Sequence, residues 1–403
     1  MKEPKNTRLY SSLPLPKRFR TWAKIDTEAL AWNYRYLRDR VRSHNPSCEA
    51  IAVIKADAYA HGAHRVVDTL IEEGCRFFAV SCIEEAIDAR TMCRCILGKD
   101  DDCRILILGY TAPSLATTLA EYDLIATAPS YEYLLSLSEE ATIADVRVEV
   151  HVKLDTGMHR LGFPTQNAEE VEQTVTQITK ASRLEGVHIA GMFSHFADAD
   201  TGTDDHPDGL TEIQIDRFFA VITALRAENV DFGMIHLCNS AATLRFPNLA
   251  LDAVRLGIAL YGVRPADGFD APLRPVMKLQ TVISHVHTIE KGESVSYGGT
   301  FVAEKRMTLA TLPIGYGDGF LRAYKGASVT VHAATGDFEA PVVGRICMDQ
   351  CMIDVTGHEV AVEDTVTLFG DRPESLYMLA DLAGTIPYEC LCLVTGRVPR
   401  IYP

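Results

Sequence analysis

The chain has no apolar run approaching the ~18 residues a membrane helix needs. Its first twenty residues, MKEPKNTRLYSSLPLPKRFR, lack the apolar stretch of a secretory signal. It is also short of positive charge: 39 Lys and Arg face 54 Asp and Glu, a formal net charge of −15. That deficit argues against nucleic acid or an anionic membrane surface as partner, because a polyanion would be repelled. A small anion gripped by a few local cations is not excluded. There is no internal repeat or low-complexity segment, and no disulfide framework. The eleven cysteines are odd in number, scattered, and often set in apolar runs (Cys48, Cys75, Cys238, Cys392), as expected of reduced thiols in a cytosolic protein.

What is present is 403 residues, 47% apolar and 23% charged, enough for a globular protein of two or three domains. Residues 1–20 read as an N-terminal extension. A capped helix is expected from Asp26, with Asp26 or Thr27 as N-cap and Glu28 in the first turn. Eight short apolar runs are expected as strands: residues 50–54, 77–80, 105–108, 124–126, 146–154, 187–193, 234–237 and 253–256. Intervening pieces such as AHRVVDTLIEEG and TEIQIDRFFAVITALRAENV have helical period and charge. Strands alternating with helices pair in parallel, because a parallel connection needs a crossover. Residues 21–275 are therefore expected to form a (β/α)8 TIM-like barrel, with an open doubly wound sheet as the alternative. Beyond Pro272–Pro275 the texture turns to β, interrupted by the helical ESLYMLADLAGT. Residues 276–403 are expected as a mainly antiparallel β domain.

Polar residues gather where the apolar runs end: Lys55, Ser81, Lys153 with Asp155, Ser194 with His195, Asn239 with Ser240, and Arg255. In a barrel the C-terminal strand ends form the active rim, so these groups would converge. Lys55, in AVIKADAYAHG, leaves an apolar strand at a point where desolvation lowers an amine's pKa, as Schiff-base chemistry requires. The structural alternative is a strand-end lysine snorkelling to water. In HVKLDTGMHRLGF, Arg160 offers a planar fork for a carboxylate or phosphate. The alternative there is a salt bridge among Lys153, Asp155 and Arg160.

Together with FSHFADAD, HLCNSAA, RLGIALYG, VSYGGTF, IGYGDGF, VGRICMDQ and TIPYE, these stretches occur in the order and spacing of bacterial alanine racemases. From Arg20 to Pro403 the sequence resembles that family. The resemblance implies pyridoxal 5'-phosphate as cofactor and a head-to-tail homodimer with shared active sites. It implies that Lys55 holds the cofactor as an imine and that Tyr297, from the second subunit, is the opposing base. Racemisation needs two bases, because a proton leaves one face of Cα and another returns on the opposite face. Both groups need lowered pKa values to act so; for Tyr297 the tuning group would be His195, near Arg255. Arg255 is the implied partner of the pyridine nitrogen, where an arginine cannot accept the proton that a carboxylate would deliver.

The resemblance further places the phosphate with Tyr59, Ser240, the backbone of Gly257 and Ile258, and Tyr388, and sets Asn239 near the ring. It assigns the substrate carboxylate to Arg160 and the backbone of Met348, the latter from the partner. Lys153 matches a lysine often carbamylated in the family. Tyr388 would fill the space beyond a methyl side chain, favouring alanine over serine by about 1–3 kcal/mol. Two departures stand out: His159 replaces a common glycine, and TIPYE replaces TINYE. The implied activity is interconversion of L- and D-alanine in the cytoplasm, supplying D-alanine for peptidoglycan. Alternatives are a serine or broad-specificity racemase, a pyridoxal-phosphate decarboxylase lacking the paired Lys55 and Tyr297, and a pyridoxal-phosphate carrier resembling only the barrel half.

Three features stay outside these motifs. MCRCILGKDDDCR carries Cys93, Cys95 and Cys103 without a histidine, and zinc would need a fourth ligand, so no metal is expected. ADADTGTDDHPD, Asp198 to Asp208, lacks EF-hand spacing and reads as a solvated loop. His285 and His287 alternate on one strand face and read as cross-strand neighbours.

Overall fold

A computed structural model describes residues 19–200, 209–266 and 268–403. The extension through residue 18, and the acidic stretch from residue 201 to 208, lie outside the described residues. The chain divides into two compact units, one of residues 28–58 and 62–274, the other of residues 59–61 and 275–403 with the segment up to Thr27.

Strand β1 (Thr21–Ile25) corrects the expectation that residue 21 opens the barrel. It pairs antiparallel with Met277–Val282, Ala23 opposite Leu279, in the C-terminal sheet. Nothing local in TWAKI marks this, because the partner lies at the far end of the chain.

The larger unit is a closed barrel of eight parallel strands. They are β2 (Glu49–Val53), β3 (Phe77–Val80), β4 (Arg104–Ile107), β5 (Ile125–Ala128), β6 (Val148–Asp155), β8 (Val187–Phe193), β9 (Met234–His236) and β10 (Ala253–Leu256). A two-residue strand, β7 (Phe163–Pro164), extends the end of β6. Pairing of β10 with β2 and of β5 with β6 closes the ring. The strand positions agree with the apolar runs because a parallel strand buries both faces and so reads as continuous apolar sequence; every residue of β3 and of β5 is buried.

Helix α1 (Thr27–Arg42) leads into β2, and the crossovers are α2 (Lys55–Ala60), α3 (Ala63–Glu72), α4 (Ile83–Leu97), α5 (Ala116–Glu121), α6 (Tyr131–Ile143), α7 (Ala168–Ala181), α8 (Gly209–Ala227) and α9 (Ser240–Arg245). Side chains set some of their starts. The Ser130 hydroxyl accepts the Tyr133 N–H at 3.2 Å, and the Asn167 amide oxygen accepts that of Glu170 at 3.0 Å, satisfying amides that a first turn leaves open. Helix α3 turns Val66, Val67, Leu70 and Ile71 inward on one face.

In the second unit, β1 joins β11 (Met277–Val282), β12 (His285–Ile289), β15 (Met307–Leu312), β16 (Ser328–Ala333), β17 (Gly336–Val343), β18 (Cys351–Asp354), β19 (Thr365–Phe369) and β20 (Arg400–Ile401). Neighbours are antiparallel except β1 with β20. Strand β11 alternates as MKLQTV predicts, burying Met277, Leu279 and Thr281. A separate ribbon of β13 (Ser294–Val295) and β14 (Phe301–Val302) carries the turn containing Tyr297. Helices α10 (Pro373–Ala383) and α11 (Pro387–Cys392) precede β20. His285 and His287 stack on one another, ring centroids 5.1 Å apart, with Thr311 and Leu309 opposite them on β15.

Candidate active site

Lys55 lies just past β2, separated from it by Ile54. It begins a turn of left-handed helix: Ala56, Asp57, Ala58, Tyr59 and Ala60 have φ of 54°, 53°, 54°, 53° and 63°. For an L-residue with a Cβ this region costs roughly 1–2 kcal/mol per residue, so the surroundings must hold it. The Glu85 carboxylate takes the Ala56 N–H at 2.7 Å and also binds the Ser81 hydroxyl at 2.9 Å. The Asp57 carboxylate takes the Ala63 N–H at 2.7 Å, and the Arg400 Nε donates to the Ala60 carbonyl at 2.8 Å. Strain of this kind collects at functional sites.

Arg255 is buried on β10. Its Nη2 donates to the carbonyls of Ser194 and Leu237 at 2.6 and 2.9 Å and to His195 Nδ1 at 3.3 Å. Its Nη1 donates to His236 Nδ1 at 2.8 Å, and His236 Nε2 lies 2.9 Å from His151 Nδ1. A guanidinium can only donate, so the direction of the chain is fixed. His236 carries its proton on Nε2 and passes it to His151, whose own proton sits on Nε2. Burial first, and then the Arg255 charge, hold His236 well below the ordinary imidazole range; burial, with the Arg104 and Arg255 charges, brings His151 to about 3. Burial brings Arg255 down to about 10, which leaves it charged at neutrality. Phe193 stacks on His236 with rings 4.9 Å apart, and Phe77 meets His151 edge-on.

His195 is a third neutral histidine. Burial and then the charges of Arg255, Arg160, Lys153 and Lys55 push its pKa well below the ordinary value. With Nδ1 accepting from Arg255, its proton is on Nε2. The sequence-designated Lys55, Lys153, Arg160, His195 and Arg255 thus form one electropositive group. The salt-bridge alternative for Lys153, Asp155 and Arg160 is not what holds them. Lys153 Nζ donates to the Leu154 carbonyl at 2.5 Å, while Asp155 accepts the N–H groups of Gly157 and His159 at 3.2 and 2.9 Å. His159, the residue in place of a common glycine, has φ of 50°; that explains the glycine preference, and its Nδ1 lies 3.4 Å from Asp155.

The Ser240 Oγ accepts the Gly257 N–H at 2.9 Å and the Ala259 N–H at 3.3 Å, beside buried Ile258. Asn239 is committed elsewhere: its side-chain oxygen caps α9 by accepting the Ala242 N–H at 3.0 Å. In the second unit Tyr59 is buried with its ring 6.4 Å from that of half-buried Tyr388, and burial pushes the Tyr59 phenol up.

Tyr297 and Met348 stand together on the second unit and are 72% and 53% exposed. The Ser296 hydroxyl donates to the Arg345 carbonyl at 2.6 Å and meets Cys347 Sγ at 3.5 Å, joining their two turns. Gly298 has φ of 74°, a left-handed conformation that favours glycine at this turn. The Gly317 N–H holds the Met348 carbonyl at 2.9 Å. His151 and His236 were not anticipated as site residues. Their one signal is a histidine inside the strands VEVHVKLD and MIH, where an apolar residue is the norm.

Residues 25–265 match the model of the alanine racemase N-terminal domain, and residues 276–402 that of the alanine racemase C-terminal domain. The chain belongs to the alanine racemase family. Alanine racemase 1 of Clostridium acetobutylicum is 38% identical over 389 residues, 94% of this chain and 95% of that protein. Among solved structures, the alanine racemase of Clostridium difficile 630 is similar with a TM-score of 0.85 at 34% identity, covering 96% of each chain. The alanine racemase of Bacillus anthracis with bound L-Ala-P gives a TM-score of 0.82 at 30% identity, covering 95% of each.

Proposed function

We propose that this alanine racemase family member interconverts L- and D-alanine with pyridoxal 5'-phosphate, and that two copies of the chain share each active site. The observation that carries the reading is the cluster of Lys55, Lys153, Arg160 and Arg255 around neutral His195. Its donor set fits the cofactor. Lys55 supplies an amine for the aldehyde, and Arg255 supplies a cation where the ring nitrogen would sit. Ser240 with the Gly257 and Ala259 amides suits a phosphate, beside Ile258 and with Asn239 shaping α9, and the family resemblance adds Tyr59 and Tyr388 as phosphate ligands. Once bound, pyridoxal phosphate supplies the electron sink that acidifies the substrate's α-proton.

Lys55 then removes or returns a proton at Cα on one face, and Tyr297 does so on the other. A tyrosine as exposed as Tyr297 cannot be desolvated by its own turn, so a second copy must cover it. The Nε2–H of the partner's His195 is then a donor that can hold and orient the Tyr297 oxygen for proton transfer. Arg160 and the Met348 backbone hold the substrate carboxylate, and Tyr388 limits the side chain to about a methyl. D-Alanine made this way would supply peptidoglycan synthesis. A cytoplasmic setting is part of the proposal, supported by eleven cysteines of which none forms a disulfide; no helix among the described residues is long and apolar enough to cross a membrane.

The test is borohydride fixation of the cofactor, with the modified residue mapped, followed by L-alanine in D2O. Label on Lys55 and deuterium at Cα of both alanine enantiomers are expected. Cofactor fixed elsewhere, or D-serine formed from L-serine faster than D-alanine from L-alanine, would refute the assignment. A carrier protein would take up the cofactor and exchange no α-proton.

A further inference from the structure

The α4–β4 connection takes no part in the chemistry above, yet it gathers a compact set of soft ligands. Cys93 lies in α4 and Cys103 directly precedes β4, at the end of the barrel strand opposite the catalytic rim. Both are buried. Asp101 comes in from the intervening loop, and the two sulfurs and a carboxylate oxygen all lie within 4.8 Å of one another. Tetrahedral zinc with Zn–S bonds of about 2.3 Å keeps two thiolates roughly 3.8 Å apart, so a small contraction suffices. Cys95, which the sequence groups with these two, is exposed and not part of the set; two residues further along a helix a side chain points to another face.

The carboxylate is already oriented. Asp101 Oδ1 accepts the Cys103 N–H at 3.1 Å, and Oδ2 accepts from Arg90 Nη1 at 2.9 Å. Arg90 is itself buried and fixed by the carbonyls of Cys103, Tyr122 and Asp123 at 2.8, 2.8 and 2.7 Å. Metal-ligating carboxylates are characteristically held by such outer hydrogen bonds. Two thiolates and a carboxylate carry −3, which a divalent cation and Arg90 offset, Arg90 also pairing with the exposed Asp123 at 3.3 Å. Sulfur ligands select a soft cation and exclude magnesium or calcium.

We propose that Cys93, Asp101 and Cys103 form a structural site for a soft divalent cation of the zinc type, with water as fourth ligand and Arg90 as its outer brace. Such a site ties α4 to the start of β4 and strengthens the barrel at the end remote from catalysis. Binding releases the two thiol protons to solvent and involves no redox step.

The experiment uses the reduced holoenzyme in a Cys95→Ser background. Cd2+ is titrated by its ultraviolet thiolate charge-transfer band, and Zn2+ by competition with a chromophoric chelator. One equivalent per chain is expected, with the band lost in Cys93→Ser and in Cys103→Ser. Asp101→Asn, which keeps both thiols, should weaken binding at least about tenfold and leave racemisation unchanged. Added Zn2+ should raise the melting temperature of the parent more than that of Asp101→Asn. The proposal is overturned if the reduced parent takes up no stoichiometric metal, if the band survives loss of either cysteine, or if Asp101→Asn binds as tightly as the parent. A Cys93–Cys103 disulfide forming in air, with no metal uptake by the reduced pair, also overturns it and makes the pair a redox site.

Discussion

Lys153 should be neutral at physiological pH and should capture carbon dioxide. It is 4% exposed, with its Nζ 5.7 Å from the Phe193 ring centroid. Burial and the Arg255 charge lower its pKa, Asp155 partly opposes them and Arg160 adds to them, to about 7 from 10.5. At pH 8 such a group is about 90% unprotonated, against about 0.3% for an ordinary lysine, roughly a 300-fold gain in reactive amine. The neutral nitrogen adds to the carbon of CO2 and releases a proton, leaving beside Arg160 a carbamate anion that can orient it.

In 13C-bicarbonate at pH 8, one carbamate resonance per chain is expected, absent from Lys153→Ala and fading as pH falls through 7. Stability of protein kept free of bicarbonate should move with the same group. Between pH 7 and 10.5 the unfolded chain holds a proton that the folded chain has lost, so stability rises with pH across that window. The slope from this one residue approaches about 1.4 kcal/mol per pH unit, and Lys153→Met should remove it. No carbamate signal in the parent under saturating bicarbonate, or a lysine titrating near 10.5, would refute the reasoning.

Ser240→Ala strips the Gly257 and Ala259 amides of their acceptor, at about 1–3 kcal/mol for each donor left buried. Fluorescence titration should show cofactor binding weakened at least about tenfold; unchanged affinity would place the phosphate elsewhere. Gly191→Ala would set a Cβ 2.6 Å from the His151 ring, which is confined between Phe77 and His236. A stability loss on the order of 3 kcal/mol is expected, read from denaturant midpoints, and a loss below 1 kcal/mol would mean the ring can move. Arg255→Glu replaces a donor with a group able to deliver a proton to the ring nitrogen. Pyruvate formed per D-alanine should rise, and an unchanged ratio would show that Arg255 does not control the partition.

Much of this protein was legible along the chain. The eight barrel strands, the change of texture near Pro275 and helix α10 follow from periodicity, because burial on two faces, on one face or on a stripe each leaves its own pattern. Lys55, Lys153, His195 and Arg255 are visible as polar residues at the ends of apolar runs, and Arg160, VSYGG and RICMDQ through their motifs. Other features leave no local trace. Strand β1 belongs to the C-terminal sheet because its hydrogen-bonding partner is remote in sequence. The left-handed turn after Lys55 is built from alanine, aspartate and tyrosine, none of which announces a positive φ; Glu85, Asp57 and Arg400 impose it. His151 and His236 look like misplaced polar residues until folding sets them nose to tail behind Arg255. Asp101 becomes a neighbour of two sulfurs only when α4 returns to β4. Sequence by itself determined which elements form and which residues could carry chemistry, since both depend on local composition and spacing. Tertiary structure decided protonation and strain, since burial, neighbouring charge and hydrogen-bond direction arise only where distant segments meet.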